Sequence, residues 1–359
     1  MKSRSNILEP ARKPLLDHNA QMDREELEKL LEDIKKMKVA VIGDLCLDVY
    51  WHFDLSASEK SLETGKPTQP VANQYTALGG AGNVISNLVA LRLSDVHVVG
   101  VVGDDPWGRE VTRLLESHDV NMDLVLTQQQ KWDTVTFIKP HINGLEQNRV
   151  DFGNFNQLFE HTAINLIKGL RSILPHVDAV IINQQESYGI HTEFLRRGLA
   201  TLVRESPETL FVADSRDYGM DYPGAYLKLN AREAANLSGV SRGLLETVPM
   251  NESERAAETL FARSGKPVFV TCGAEGCLVR DELRLHHIPA VQVKPPLDTV
   301  GAGDSALAGI VAALAAGKEP QFAAAFGNLV AGITVKKLHQ TGAATPSDIL
   351  NAAQGYMRL

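Results

Sequence analysis

Asp298-Thr299-Val300-Gly301-Ala302-Gly303-Asp304 is the segment whose residue types best fit chemistry, and the apolar helical run Ser305–Ala316 follows it directly. Two glycines and an alanine predict three backbone N–H groups, at Gly301, Ala302 and Gly303, left uncovered at the mouth of a helix. Such a mouth attracts anions, because its unbonded donors and the helix dipole both favour negative charge. Asp304 then sets a carboxylate beside the anion, where simple anion binding would suffer repulsion. The arrangement makes sense if Asp304 takes a proton from a hydroxyl that attacks a phosphate held by the amides. It reads as phosphoryl transfer to an alcohol.

Two rival readings apply to the same residues. Gly301-x-Gly303-x-x-Ala306 has dinucleotide-fingerprint spacing, which should close a strand and meet an acid about 20 residues later at the end of the next strand. Here Lys294-Pro295-Pro296 blocks a regular strand, and Glu319 sits before Pro320 in a turn. A glycine-rich helix start without chemistry fits the glycines but leaves both acids unexplained.

Other segments suit the same reaction. Gly79-Gly80-Ala81-Gly82-Asn83 opens a helix and would let a substrate approach the backbone, although such starts are also purely structural. Asp48, five residues past Gly43, lies where ligands of open α/β sheets bind and could fix sugar hydroxyls. Asn230-Ala231-Arg232-Glu233 has the spacing of a capping box; the alternative is that Asn230 and Glu233 hold water around Mg²⁺. Lys228 could reach a nucleotide phosphate as a point charge. Thr271-Cys272-Gly273-Ala274-Glu275-Gly276 suits a loop lying against a nucleotide. Gly103-x-Asp105-x-x-Gly108 reads as a structural helix cap, with Pro106 at the first helical position.

These residues need an α/β scaffold. The chain has 359 residues, 44% of them hydrophobic and 22% charged, with a net charge of −8. That balance fits a soluble globular protein and argues against nucleic acid as a partner. Three cysteines without metal-ligand spacing fit a reducing cytoplasm. Neither a signal peptide nor a membrane span is expected. Residues 1–22 read as a polar arm and 23–37 as a charged helix with Leu27, Leu30, Leu31 and Ile34 on one face. From Lys38 onward strand and helix alternate, which predicts a doubly wound sheet with helices on both faces. Residues 49–55 with 68–77, and 133–140 with 145–151, break that alternation as strand pairs, the second joined by the hairpin signal Asn143-Gly144. Inserted at 49–77 and 133–151, they read as a small lid sheet or a pairing edge for a second subunit.

In this order the motifs resemble the PfkB/ribokinase family of carbohydrate kinases, over roughly residues 38–350. The matches are Gly43-Asp44 with Asp48, Gly79-Gly80-Ala81-Gly82-Asn83, Val99-Gly100-Val101-Val102-Gly103-Asp104-Asp105-x-x-Gly108, Asn230-x-x-Glu233, Val270-Thr271-x-Gly273-x-x-Gly276 and Asp298-Thr299-x-Gly301-Ala302-Gly303-Asp304. The resemblance implies a ribokinase-like fold over residues 38–359 with a β-sheet lid that is also a dimer clasp, and ATP and Mg²⁺ as cofactors, with room for a monovalent cation. It implies Asp304 as base, the amides of Gly301, Ala302 and Gly303 as anion hole, and Asn230 and Glu233 as the metal and phosphate motif. Thr271, Gly273, Gly276 and Asn328 fall on its nucleotide site, and Asp48, Gly79, Gly80 and Asn83 on its sugar site.

Within the family, Gly43-Asp44-x-x-x-Asp48-x-Tyr50-Trp51 is most similar to the heptose-7-phosphate kinases, which phosphorylate an anomeric oxygen. Val49 stands where those enzymes carry Arg, and Asn183-Gln184-Gln185-Glu186-Ser187-Tyr188 replaces their Asp-Tyr-Gly-Lys run. The lid segment Ser61–Pro67 also differs, and the nucleotidyltransferase domain fused to some of them is not expected here. The departures lie on the sugar side of the site. A phosphorylated sugar needs a cationic partner, and Arg149 on the second lid pair, helped by Lys60 and Lys66, is the expected one. The alternatives are a fructokinase- or ribokinase-like enzyme acting on an unphosphorylated sugar, and a non-catalytic sugar or nucleotide sensor.

Overall fold

The computed structural model describes residues 22–243, 246–337 and 342–356; most of the expected polar arm lies outside them. Strands and helices are numbered along the chain. The opening strand β1 (Lys38–Gly43) lies deep in a nine-stranded sheet. Beside it on one side run β4 (Asp95–Gly103) and β5 (Asn121–Gln128). On the other side follow β9 (Ala179–Gln184), β10 (Leu210–Ser215), β11 (Tyr226–Asn230) and β12 (Val268–Thr271), all parallel. The edge strands β13 (Cys277–Arg280) and β14 (Leu285–Ile288) run antiparallel. The loop between β12 and β13 is too short for a crossover helix, so the chain must turn back on itself. Gly276 permits this: its φ is +96°, and a Cβ there would stand 2.1 Å from the Ile288 carbonyl oxygen.

Burial on both faces explains the continuous β-branched runs in the central strands. Val39 and Val41 enter one core, Ala40 and Ile42 the other. The first core holds α1 (Arg24–Ile34), α2 (Ala81–Ala90), α3 (Pro106–Ser117), α8 (Ala302–Ala315), α9 (Pro320–Thr334) and α10 (Pro346–Tyr356). The second holds α4 (Glu160–Ile173), α5 (Glu193–Glu205), α6 (Ala231–Leu237) and α7 (Met250–Ser264). Helix α1 is built into the body: a capping box of Asp23 and Glu26 starts it, and Leu27, Leu30, Leu31 and Ile34 are buried against α8 and α10. Each such side chain contributes about 1.5–3 kcal/mol on burial.

The segments expected to form a lid make a separate sheet in the order β3-β2-β6-β7, with β8 also on β6. Its strands are β2 (Leu45–Phe53), β3 (Val71–Gly80), β6 (Val135–Ile142), β7 (Leu145–Glu146) and β8 (Val150–Phe152). Asn143 and Gly144 both have positive φ, at 51° and 79°, as a type I′ hairpin turn requires. The two expected strand pairs join through β2 and β6, which are parallel and register Asp48 with Phe137 and Tyr50 with Lys139. Val49 and Ile138 on one face enter the core. The opposite face carries Asp48, Tyr50, Tyr75, Lys139, Arg149 and Asp151.

Candidate functional site

The site forms where the carboxyl ends of β1, β9, β10, β11 and β12 meet the start of α8. β14 ends at Ile288, and no strand among the described residues runs into Gly301, which removes the dinucleotide reading. Instead Asp298 donates its N–H to the Val335 carbonyl at 2.8 Å and accepts at its side chain from Val300 N at 3.1 Å. Gly301 then turns the chain with φ 75°, a left-handed conformation that suits glycine. Among the described residues, the N–H groups of Gly301, Gly303 and Asp304 donate to nothing, while that of Ala302 bonds the Thr299 carbonyl at 3.2 Å. The open donors are thus the expected set shifted by one residue, with Ala302 held in the turn.

Asp304 is partly buried beside these amides, and its Oδ2 accepts from Asn83 Nδ2 at 2.6 Å. Asn87, one helical turn on, donates to the Asn83 carbonyl (2.9 Å) and Oδ1 (3.3 Å), which leaves the Asn83 amide nitrogen for Asp304. Asn83, read from the sequence as a sugar contact, therefore orients the carboxylate. Burial raises the Asp304 pKa against the lowering pull of Lys228, the Asn83 hydrogen bond and Arg216. A carboxylate so raised is a better proton acceptor than a free aspartate.

Lys228 is only 4% exposed, and its Nζ lies 3.3 Å from Asp214 Oδ2. A Cβ built on Gly303 would stand 3.3 Å from that Nζ, so the ammonium sits directly against the start of α8. Burial alone would lower the lysine's pKa, but Asp214, Glu233 and Asp304 together carry it upward, and it stays charged. Asp214, missed in the sequence, is pushed up to about 7 by burial, opposed by Lys228.

Asn230 and Glu233 form a reciprocal capping box on α6, with Asn230 N to Glu233 Oε2 at 2.8 Å and Glu233 N to Asn230 Oδ1 at 2.9 Å. One oxygen of Glu233 is left over for a water. Among the described residues no cluster of three or more Asp, Glu, His or Cys side chains could cage a metal. The residues present fit Mg²⁺ only in the form that keeps its waters and leans on nucleotide phosphates.

A cavity of about 390 Å³ adjoins the helix start and is lined by Thr271, Gly273, Gly276, Gly303, Asn328 and Val335 among others. That size suits a small ligand. Gly273 has φ 58° and open space where a Cβ would be, so a ligand can lie on its backbone. Asn328 donates to the carbonyls of Ile288 (3.1 Å) and Pro289 (3.2 Å), pinning one wall.

Near Asp48, a Cβ on Gly79 would be 3.4 Å from the carboxylate Oδ2, and Gly80 has φ 55°. Buried Asp48 pairs with Lys139 Nζ at 2.9 Å, and the same ammonium donates to Tyr50 Oη at 3.3 Å. Tyr50 stacks on Tyr75, with ring centres 4.4 Å apart. Arg149 is committed differently from expectation: it bonds both oxygens of Asp151, at 2.6 and 2.8 Å, and lies over the Phe137 ring at 4.1 Å. Asp44 is buried and fixes the loop after β9, accepting from the N–H groups of Gln185 (2.9 Å), Glu186 (3.0 Å) and Ile190 (2.8 Å). In this loop burial pushes the Glu186 carboxyl up to about 7 while Arg216 pulls it down. Asp105 caps α3 at Gly108 N (2.7 Å) and also holds Thr134 N (2.8 Å), as a structural cap should.

A carbohydrate-kinase signature accounts for these features together: the pfkB family of carbohydrate kinases matches residues 36–139 and 223–348. The chain belongs to the pfkB carbohydrate kinase family. Curated relatives include the bifunctional protein HldE of Caulobacter sp. (strain K31), 32% identical over 92% of this chain and 65% of its own length. HldE of Sulfurimonas denitrificans is 30% identical over 86% of this chain and 62% of its own length. The chain thus spans a little under two thirds of those relatives. The fold matches Arabidopsis thaliana ribokinase complexed with ribose and ATP, with TM-score 0.69 and 16% identity over 89% of this chain and 99% of that one. It also matches Escherichia coli phosphofructokinase-2, with TM-score 0.69 and 18% identity over 90% and 100%. The pfkB kinase is therefore a sugar kinase with a ribokinase-like fold, and the rival dinucleotide-fingerprint and sensor readings fall away. Among its described residues no helix is long and apolar enough to cross a membrane.

Proposed function

We propose that this enzyme transfers the terminal phosphoryl group of ATP to a hydroxyl of a sugar phosphate, with a heptose 7-phosphate as the best-supported acceptor. The observation that carries the reaction is the Asp304 carboxylate standing beside the open amides of Gly301, Gly303 and Asp304, with the Lys228 ammonium behind them. The acceptor oxygen forms a bond to the terminal phosphorus, the bridging bond to ADP breaks, and the hydroxyl proton passes to Asp304. The amides and Lys228 offset the charge on the transferring group, so positioning and electrostatics suffice without a covalent intermediate. Mg²⁺, when bound with the nucleotide, would neutralise phosphate charge, with Glu233 and Asn230 holding its waters. Thr271, Gly273, Gly276 and Asn328 hold the nucleotide, while Asp48, Gly79 and Gly80 border the sugar.

The heptose assignment rests on the opening motif around Asp48 and on the HldE relatives, named as bifunctional proteins that this chain matches in part. A neutral sugar is the second reading, because Lys139 and Arg149 are already paired with carboxylates. Asp304→Asn keeps shape and hydrogen bonding but removes the proton acceptor. Its kcat for sugar-dependent ADP release should fall about 10²-fold or more, with ATP affinity little changed. Near-normal turnover would remove Asp304 from the mechanism.

A further inference from the structure

We propose that Arg216 receives an anionic group already carried by the acceptor sugar, making it the residue that selects a sugar phosphate over a neutral sugar; the inference rests on the kinase reading above. Arg216 follows directly on β10, whose last residue, Ser215, is in register with Gln184 of β9. Its N–H donates to the Gln184 carbonyl at 3.3 Å. The turn that presents it is locked from beneath. Gln184 Oε1 accepts from Ser215 Oγ (2.7 Å) and Asp217 N (3.1 Å), and Gln184 Nε2 donates to Asp217 Oδ2 at 3.2 Å. Ser215 Oγ in turn accepts from Tyr218 N at 2.8 Å. Gln184 and Ser215 are fully buried, while the Arg216 side chain is exposed. A fixed backbone therefore carries a mobile guanidinium at the carboxyl end of the sheet, where ligands of such folds bind.

Three cations near the site already have carboxylate partners. Lys139 is paired with Asp48, Arg149 with Asp151 and Lys228 with Asp214. Arg216 has no hydrogen-bonded or ion-paired carboxylate within 4.0 Å among the described residues. Its charge nevertheless acts on Glu186, Asp304 and Cys46. The amides at α8 and Lys228 already serve the phosphoryl group in transfer, so a further open cation at the carboxyl end of β10 serves a second anion. A guanidinium meets a phosphate with two parallel hydrogen bonds, a geometry a neutral sugar would leave unused.

The test compares the full chain with Arg216→Ala, Arg216→Lys and Arg149→Ala, using heptose 7-phosphate, fructose 6-phosphate and their unphosphorylated counterparts. Arg216→Ala should raise KM for the phosphorylated acceptor about tenfold or more, the loss of a charge-assisted hydrogen bond. Its kcat should change far less, the neutral sugar should be unaffected, and Lys should restore part of the loss. Arg149→Ala should leave the discrimination between the two forms intact. Equal effects of Arg216→Ala on phosphorylated and neutral sugars, or none, would overturn the proposal. Thermal unfolding without ATP separates this inference from the kinase reading. If wild type releases no ADP with any acceptor, the kinase reading fails. Stabilisation by the sugar phosphates in wild type but not in Arg216→Ala would still support the anion site, and equal or absent stabilisation in both would remove it.

Discussion

Glu186→Gln should stabilise the protein at neutral and alkaline pH and do nothing at low pH. The Glu186 carboxyl is half-buried and pushed from its ordinary 4.5 to about 7 by loss of solvent, with Asp44 adding to the rise and Arg216 opposing it. A folded-state pKa above the unfolded one means that the folded chain holds the extra proton between those values. Its stability is therefore undiminished below about pH 4.5, declines as pH rises to about 7, and is flat beyond. The displacement of about 2.5 pH units corresponds to about 3 kcal/mol at 1.36 kcal/mol each, as an upper limit. Solvent screening of a half-exposed group and attraction to Arg216 reduce this to about 1–2 kcal/mol. Glutamine has the same shape and no charge to desolvate, and the bond from the residue 186 N–H to Asp44 is unaffected by the substitution. Urea unfolding at pH 5 and pH 8, with midpoints and slopes fitted together, measures the difference. The variant should gain about 1–2 kcal/mol on wild type between the two pH values. A loss at pH 8 would show that Glu186 is held as a charged partner of Arg216, and a gain of equal size at both would show that its carboxyl is not shifted upward; either result would refute the assigned direction.

Glu233→Gln should raise the Mg²⁺ concentration needed for half-maximal rate, because a negative charge beside the hydrated ion is lost; lower thermal stability with unchanged metal dependence would leave Glu233 as the capping residue it already is in α6. The lid should pair two copies of the chain, because Val71, Leu145 and Val150 are 45%, 70% and 48% exposed on it and β3 is an open edge. Sedimentation should show a dimer that Val71→Asp weakens, and a monomer at every workable concentration would discard the clasp.

The fold was legible because its signals are local. Apolar runs without alternation mark strands buried on both faces, and β1 covers the residues read for it, Lys38–Gly43. The leucine stripe of α1, the Asn143-Gly144 turn and the Asp105 cap are likewise fixed by neighbours in sequence. The antiparallel edge of β13 and β14 is not legible in the sequence, since nothing local distinguishes a strand that turns back from one that continues. The same division runs through the site. The α8 mouth, Asp304 and the Asn230–Glu233 box lie within continuous motifs, so residue type and spacing expose them. Which partner each charge takes is decided by strand neighbours far apart in the chain. Asp48 meets Lys139 only because β2 and β6 are parallel at this register, and Lys228 meets Asp214 only because β10 lies beside β11. Arg149 looked open as a cation in a polar stretch, yet Asp151, two residues on, shares its face of the strand and neutralises it. Arg216 has no motif around it, and it stands out only once Lys139, Arg149 and Lys228 are matched to carboxylates. In the proposed mechanism, substrate choice depends on charge left unmatched when distant strands meet, whereas phosphoryl transfer depends on one short helix mouth.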